Sequence, residues 1–359
     1  MQIERQEKPL TNNTNRPLPR TLEGALDPDW LSEILGPIAD GAKVERVEVV
    51  DPLQINQTIK ATIVRFRAHF DSGRSEALCL KGFLDRPDIK PSLAGLRETR
   101  FYTELAGKVA FRHPTPVAMP FDEEAQLGIR YMRDLVEEGA HFCSALEPFD
   151  ASRTARSLEQ LARLHASYLK LGPVEDLAWV DRNIDWIARI IPTETLQGLL
   201  LDERSAGIPE EQRDASRLMA ALKALSAVDA ERRPFLIHGD CHAGNVFEID
   251  GGAGLIDFEL LQRGGWSLDV AYHINATLPV EVSEKEERAL LRHYLETARS
   301  LGSDVPEEDE AWLQYRMSTV YGYFLWGITR TVKREIINAF CHRLSHAVAR
   351  HDSYELLGV

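Results

Sequence analysis

The sequence predicts an α+β fold with two lobes, a smaller β-rich lobe with one helix and a larger, mainly helical lobe. Strand-like patterns of alternating or β-branched apolar residues lie at 44–50, 62–70, 76–83 and 127–135. A helical pattern at 92–107 interrupts them, and helical patterns dominate the rest of the chain. The chain has 359 residues, well above the roughly 150 residues of an average domain, and this length favours two lobes or domains.

The smaller lobe follows a polar, proline-containing segment at residues 1–26. Asp27-Pro28 matches an N-cap followed by proline at the first helical position, which predicts a short helix to Leu35. The turn Asp71-Ser72-Gly73 joins the second strand pattern to the third. The helix at 92–107 ends at a glycine, which is typical of helix C-termini.

Two patterns in the larger lobe predict long helices. Ser283-x-x-Glu286 matches a capping box, which predicts a helix that starts there and ends near Ser300. Residues 311–328 predict a long, mostly buried helix that is rich in aromatic side chains. Those aromatic residues fit either a packed core, which is their commoner role, or a substrate pocket.

The composition is that of an ordinary globular protein, with 44% hydrophobic and 27% charged residues. The formal net charge of -14 disfavours binding to nucleic acid or to anionic membranes. No apolar run approaches the ~20 residues of a membrane span, and the N-terminus has no apolar signal core. The four cysteines form no CxxC pair. These features predict a cytoplasmic protein with free thiols.

Residues 235–259, FLIHGDCHAGNVFEIDGGAGLIDFE, carry the strongest chemical pattern of the chain. Asp240 is predicted at the tip of a turn, and Asn245 follows five positions later. Asp257 lies after a glycine-rich hairpin turn that would return it to the same place. Phosphoryl transfer from a magnesium nucleotide uses such a set, with one group to orient a hydroxyl and two to hold metal. The alternative for any one of these residues alone is a capped turn with an incidental polar side chain.

Lys81 lies inside an otherwise apolar strand pattern. A buried ammonium is costly unless it is paired, and Glu98 on the following helix is the expected partner. In phosphotransferases such a pair directs the lysine to the nucleotide phosphates. The alternative is a lysine on an edge strand with its ammonium group in solvent.

Three further residues leave alternatives open. His238 and His242 either ligate a metal, as in a metallohydrolase, or form hydrogen bonds in the turn around Asp240. In that second case His238 fixes the turn, and His242 lies near the carboxylate or the phosphates. Asp269, in the segment GGWSLDVAYHI, supports this turn, caps its own helix, or does both.

Together these residues resemble the aminoglycoside phosphotransferase and choline kinase family, over roughly residues 40–330. HGDCHAGN resembles the catalytic loop of that family and IDFE its metal-binding segment. The order of Lys81, Glu98, HxDxxxxN and Asp257 also matches. The resemblance implies a two-lobed protein-kinase-like α+β fold with a small antiparallel-sheet N-lobe. It also implies ATP and Mg²⁺ as cofactors and a small-molecule hydroxyl as the acceptor.

The same resemblance implies a role for each residue of the pattern. Asp240 would orient or deprotonate the acceptor hydroxyl, while Asn245 and Asp257 would bind magnesium. Lys81, braced by Glu98, would contact the α- and β-phosphates.

The resemblance also implies nucleotide contacts outside the main motif. RYMRDL at 130–135 resembles the hinge between lobes, where Met132 would contact the nucleotide. DPLQINQTIKAT at 51–62 stands where the family has a glycine-rich phosphate loop, yet it contains no glycine. Backbone groups of Gln57 and Thr58 would cover the phosphates instead.

Glu259 replaces the glycine of the protein-kinase DFG motif, and would bind metal indirectly or face solvent. Within the family, GGWSLDVAYHI and the aromatic helix are most similar to the ecdysteroid-kinase-like and acyl-CoA-dehydrogenase-associated branches. The predicted organisation is an N-terminal arm with a short helix, an N-lobe, a hinge and a C-lobe, at 1–40, 41–130, 131–136 and 137–359.

Two other functions fit parts of the sequence. The glycine-free loop also fits a pseudokinase that binds a nucleotide or ligand without turnover, and the histidines fit a His/Asp metallohydrolase. The acceptor stays open among aminoglycosides, amino alcohols, sterols and hydroxy-acyl compounds. The acidic chain suits the first class, and the aromatic helix suits the apolar ones.

Overall fold

The computed structural model describes residues 16–51, 61–85, 93–147 and 149–359. The chain forms two compact units. The first consists of the described residues up to Gly107 together with Pro114–Ala140, and the second consists of Lys108–His113 and His141–Val359. The limits of the arm, hinge and lobes expected from the sequence stay predictions.

The first unit is built on an antiparallel sheet. Its described helices and strands are α1 (Leu22–Ala25), α2 (Pro28–Ile34), α3 (Gly36–Ala39), β1 (Val44–Asp51), β2 (Thr62–Phe70), β3 (Ser75–Gly82), α4 (Leu93–Arg100), β4 (Pro116–Ala118), β5 (Phe121–Asp122) and β6 (Leu127–Arg133). The strand order is β1-β2-β3-β6-β4, and β5 also pairs with β6. Side chains of β2 alternate between buried and half-buried, as they do in a strand with one face on the core.

The predicted helix start at Asp27 and the predicted turn at Gly73 are confirmed. Asp27 accepts a hydrogen bond from the Trp30 backbone N–H at 2.9 Å, and Pro28 is the first residue of α2. Gly73, in the turn between β2 and β3, has a φ of 81°, a conformation that glycine adopts without strain.

The helical stretch that was predicted to end at Gly107 is confirmed in extent and ends in a 3₁₀ turn at Ala106–Lys108, but it is not α-helical throughout. α4 ends at Arg100, and a π-helical turn at Phe101–Leu105 follows it. The Thr103 hydroxyl donates to the carbonyl oxygens of Thr99 and Arg100 at 3.1 and 3.2 Å. Such side-chain bonds compete for backbone acceptors and loosen the regular helical pattern.

The short helices α1 to α3 pack in the core of the first unit. Ala25 and Leu31 are fully buried there. Trp30 Nε1 donates to the Tyr131 hydroxyl at 2.9 Å, and that hydroxyl donates to the Ala25 carbonyl oxygen at 2.7 Å. The described part of the segment that was expected to be an arm is therefore packed against the sheet.

The second unit is mainly helical. Its helices and strands are β7 (His141–Phe142), α5 (Ala151–His165), α6 (Tyr168–Leu171), α7 (Ile184–Ile187), α8 (Thr193–Leu201), α9 (Ala215–Ala230), β8 (Phe235–Ile237), β9 (Val246–Ile249), β10 (Gly252–Leu255), β11 (Gln262–Gly264), α10 (Trp266–Thr277), α11 (Val280–Ser300), α12 (Glu308–Ile328), α13 (Arg334–Arg350) and α14 (Ser353–Leu356). Its described strands form the antiparallel sheets β10-β9-β7 and β11-β8, and α5 packs against β8 and β10. Among the described helices, none is both long enough and apolar enough to cross a bilayer.

One predicted helix start in this unit is wrong. α11 begins at Val280 with Pro279 as its N-cap, so Ser283 lies inside the helix. Its hydroxyl donates to Asn275 Oδ1 at 2.9 Å and caps nothing, because the proline already sets the helix start. The predicted end at Ser300 is confirmed, and so is the long buried helix, which is α12.

Candidate active site

The loop at residues 238–245 connects β8 to β9 and carries Asp240 at its tip. Gly239 has a φ of 79°, in the left-handed region that favours glycine. A Cβ at this position would lie 2.4 Å from the Leu260 carbonyl oxygen, so a larger residue would clash with the backbone. Glycine therefore permits the sharp turn that leaves the Asp240 side chain 29% exposed.

Asn245 ends this loop with its carboxamide oriented by the backbone. Its Nδ2 donates to the Asp240 carbonyl oxygen at 2.7 Å and lies 3.4 Å from Asp240 Oδ2. Because the amide nitrogen is used in this way, Oδ1 is the atom that can bind a cation.

The β9–β10 hairpin brings Asp257 beside Asn245. Asp250 and Gly251 have φ values of 51° and 71°, as in the two-residue turns that match strand twist, so the predicted hairpin is confirmed. The Ile256 N–H donates to the Asn245 carbonyl oxygen at 3.0 Å. Asp257 directly follows Ile256 and therefore lies close to Asn245. Its side chain is half-buried.

The carboxylate of Asp269, fully buried in α10, holds the loop from behind. It accepts the backbone N–H groups of His238 at 2.7 Å and Gly239 at 2.8 Å, and His165 Nε2 lies 3.1 Å away. Burial acts to raise the pKa of Asp269, but the hydrogen bonds and charge of His165 and the backbone outweigh it, so the pKa is lowered. Asp269 therefore supports the loop. The capping alternative is wrong, because Gly265 is the N-cap of α10.

Two further residues of α10 bind the same loop, and the sequence patterns did not single them out. The Tyr272 hydroxyl donates to Asp240 Oδ1 at 3.0 Å. His273 Nδ1 lies 2.6 Å from the Cys241 carbonyl oxygen. With Asp269 these residues occupy positions i, i+3 and i+4, which share one helix face. That spacing of polar groups in an apolar helix was the signal available in the sequence.

The Asp240 carboxyl is poised near neutral pH. Burial and the charge of Asp257 raise the pKa of Asp240 to about 6, while hydrogen bonds from Tyr272 and Asn245 act to lower it. Oδ2 lies 3.7 Å from His242 Nε2. A base with a pKa close to the working pH is suited to accept a hydroxyl proton.

Both histidines of the motif are used by the loop itself. His238 Nε2 donates to the Ile256 carbonyl oxygen at 2.9 Å, and its Nδ1 accepts the Asp240 N–H at 3.2 Å. His242 Nδ1 accepts the Gly244 N–H at 3.0 Å. Burial lowers the pKa of His242 to about 3, so its ring is neutral. Because both ring nitrogens of His238 are hydrogen-bonded to the backbone, neither is left to ligate a metal.

The aromatic helix α12 supports the loop from the core. Tyr321 and Trp326 are both buried. The Tyr321 hydroxyl donates to the Gly239 carbonyl oxygen at 2.8 Å, and Trp326 Nε1 donates to the Tyr272 hydroxyl at 2.6 Å. The sequence left open whether the aromatic residues of this helix form a packed core or line a substrate pocket. Tyr321 and Trp326 belong to the packed core.

The first unit contains the predicted pair of Lys81 and Glu98, together with Arg130. Lys81 Nζ and Arg130 Nε lie 2.8 and 3.0 Å from the same Glu98 oxygen, Oε2. All three side chains are buried. The edge-strand alternative for Lys81 is wrong, because β3 lies between β2 and β6. The sequence patterns did not indicate Arg130 as a partner of Glu98. Arg130 lies opposite Lys81 on the neighbouring strand β6.

The catalytic and binding roles of all the predicted site residues stay predictions. Met132 is buried in β6, in register with Cys79 of β3. Glu259 is half-buried in a short 3₁₀ turn after β10. Gln57 and Thr58 lie outside the described residues.

The segment that carries the predicted site residues other than Gln57 and Thr58 also matches a known family. Residues 62–307 match the phosphotransferase enzyme family, APH. The chain belongs to this phosphotransferase family. The matched range contains the Lys81–Glu98 pair and the whole 238–259 motif.

Solved structures place this chain in a known fold. A choline/ethanolamine kinase family protein from Mesorhizobium loti is similar over 90% of this chain and 96% of its own, with a TM-score of 0.51 and 14% identity. A choline kinase from Cryptosporidium parvum is similar over 87% and 88%, with a TM-score of 0.50 and 11% identity. The protein-kinase-like α+β fold expected from the sequence is thereby confirmed. No curated protein matches the chain.

Replacing Asp269 with Asn should destabilise the protein. An amide has one acceptor oxygen where the carboxylate has two, so a backbone N–H of His238 or Gly239 loses its partner inside the core. An unsatisfied buried donor costs about 1–3 kcal/mol. The free energy of unfolding, measured by urea denaturation, should fall by that amount.

Asp214→Asn is the matched control. Asp214 is exposed and accepts the Arg217 N–H at 3.0 Å as the N-cap of α9, a role that Asn fills equally well. Equal stability of the two variants would contradict the assigned role of Asp269.

Replacing Glu98 with Gln should also be costly, because it removes the carboxylate that binds both Lys81 and Arg130. Removing one member of a buried ion pair costs about 3–5 kcal/mol. Urea denaturation should show a loss of that size, against no measurable loss for Glu45→Gln on the exposed side of β1. Similar unfolding curves for the two variants would show that the buried cluster is not stabilising.

Proposed function

We propose that this protein is an ATP- and magnesium-dependent phosphotransferase that phosphorylates a hydroxyl of a small molecule. The observation that carries the proposal is the geometry around Asp240. A partly exposed carboxylate lies at the tip of a loop whose backbone is fixed by Asp269. An oriented carboxamide, Asn245, and a second carboxylate, Asp257, lie beside it. Membership of the phosphotransferase family supports the same reaction.

Asp240 would position the acceptor hydroxyl. With a pKa of about 6, the side chain is mostly ionised at pH 7 and can accept the hydrogen of the acceptor hydroxyl. That bond points the acceptor oxygen at the γ-phosphorus of ATP, and the proton passes to Asp240 as the new O–P bond forms. The bond between the γ-phosphorus and the bridging oxygen of ATP breaks, and ADP leaves. Positioning of this kind supplies much of the rate enhancement.

Asn245 and Asp257 would hold the magnesium ion. Mg²⁺ takes oxygen ligands, and these side chains offer a carboxamide oxygen and a carboxylate from adjacent ends of one hairpin. The ion, when bound, neutralises charge on the phosphates. Glu259 would act on the same ion indirectly. The ring nitrogens of His238 both bond to the backbone, which argues against the His/Asp metallohydrolase.

Lys81 would contact the α- and β-phosphates of the nucleotide. Glu98 holds its ammonium group at 2.8 Å, so this flexible side chain is already ordered. Less conformational entropy is then lost when a phosphate binds. In the same proposal Met132 lies at the nucleotide, and Gln57 and Thr58 cover its phosphates.

The acceptor class is identified by measuring ADP release from MgATP in the presence of each candidate. Amino alcohols come first, because structures with this fold include choline and choline/ethanolamine kinases. Aminoglycosides, sugars, sterols and hydroxy-acyl thioesters complete the panel. A true acceptor raises the rate above that seen with water alone.

Asp240→Ala should lower kcat by about 10²–10⁴, the usual cost of losing a general base. Binding of MgATP should change little, because the metal and phosphate contacts are assigned to other residues. Steady-state kinetics and isothermal titration calorimetry measure the two quantities. Asp309→Ala, an exposed carboxylate in the first turn of α12, is the control and should match wild type in both.

The outcomes separate the candidate functions. Wild-type protein that binds no magnesium nucleotide would contradict the proposal. Nucleotide binding without turnover on any acceptor would favour the pseudokinase. Full activity of Asp240→Ala would remove the assigned role of this residue.

A further inference from the structure

Tyr272 lies directly behind the Asp240 carboxylate, with its hydroxyl enclosed between two partners. The side chain is fully buried. Its hydroxyl lies 2.6 Å from Trp326 Nε1 and 3.0 Å from Asp240 Oδ1. The two helices that meet at Asp240, α10 and α12, are thus joined by a chain of hydrogen bonds that ends on the reactive carboxylate.

The direction of these hydrogen bonds is fixed by chemistry. The indole of Trp326 has one N–H and no acceptor, so the Tyr272 oxygen must accept from it. The single hydroxyl hydrogen of Tyr272 is then directed to Asp240 Oδ1. A donor held in this position favours the ionised carboxylate and occupies one of its two oxygens.

The other carboxylate oxygen has weaker contacts. Asp240 Oδ2 lies 3.4 Å from Asn245 Nδ2 and 3.7 Å from His242 Nε2. Both distances exceed the usual range of about 2.7–3.2 Å for an N–H···O bond. Oδ2 can therefore accept a shorter, stronger hydrogen bond from an incoming hydroxyl, whereas Oδ1 is already engaged.

The position of the Tyr272 ring depends on a close approach between α10 and α12. A Cβ on Gly322 would lie 2.5 Å from Tyr272 Cδ2, so a side chain there would displace the ring. Trp326 follows one helical turn later, on the same face of α12. One face of this helix therefore makes room for the ring and supplies the donor to its hydroxyl.

We propose that Tyr272 is a positioning residue for phosphoryl transfer, which fixes Asp240 Oδ1 so that Oδ2 meets the acceptor hydroxyl. This inference rests on the proposed function. Tyr272 does not touch the reacting atoms itself, because its hydrogen is committed to Asp240 and its ring is buried.

The test is a double-mutant cycle with MgATP as the probe and water as the acceptor, measured as steady-state phosphate release. Tyr272→Phe should lower kcat by about 10-fold to 100-fold, as expected when a reacting group is misplaced. The KM for MgATP should stay unchanged. In an Asp240→Ala background the same change should have no further effect on kcat, because the carboxylate that Tyr272 positions is absent.

Tyr323→Phe is the matched control. Tyr323 is fully buried in α12, and its hydroxyl donates to the Gln212 carbonyl oxygen at 2.7 Å. The variant loses one buried hydrogen bond away from Asp240, so it should keep the kcat of wild type. Trp326→Phe removes the indole donor and should lower kcat several-fold. It provides a second test if Tyr272→Phe fails to fold.

Equal losses of kcat for Tyr272→Phe in the two backgrounds would overturn the positioning role, and so would a kcat equal to that of wild type. In both cases the phosphotransferase function would stand. Wild-type protein without magnesium-dependent phosphate release, with water or any acceptor, would overturn the proposed function and this role with it.

Discussion

The buried face of α10 fixes the backbone of the loop that carries Asp240. Three side chains on one face of this helix bind the loop. Asp269 accepts the N–H groups of residues 238 and 239, Tyr272 donates to the Asp240 carboxylate, and His273 bonds to the carbonyl oxygen of residue 241. A tight loop in a core exposes backbone donors and acceptors that cost about 1–3 kcal/mol each if unpaired. The helix satisfies them, and the carboxylate is thereby held in place before any substrate binds. Such preorganisation is what electrostatic catalysis requires.

The first unit uses a buried carboxylate for a similar purpose. Glu98 binds Lys81 and Arg130 through one oxygen atom, although burying these charges carries a desolvation cost that an apolar cluster would avoid. The cluster orients Lys81, because Glu98 holds its flexible ammonium group in one position. In each unit a buried carboxylate holds a polar group in place, at a cost in desolvation free energy. This arrangement suits a reaction that depends on positioning and charge neutralisation.

Local patterns made much of the fold and site predictable. The HxDxxxxN spacing, the glycine-rich hairpin and the lysine in an apolar strand all depend on short stretches of sequence. The missed groups act across longer separations. Tyr272 and His273 are residue types that also occur in ordinary cores, whereas an arginine such as Arg130 is usually a surface residue. Only tertiary packing directs these side chains to Asp240, Cys241 or Glu98. The start of α11 was mispredicted because a proline N-cap overrides the capping-box pattern that follows it.

Backbone hydrogen exchange of His238 and Gly239 tests most directly whether the loop is preformed. Both N–H groups donate to the fully buried Asp269, so in ligand-free protein they should exchange only when the unit opens. NMR should therefore show exchange as slow as that of the amides in β8. Exchange as fast as in exposed loops, with protection gained only after MgATP is added, would contradict a loop held by α10.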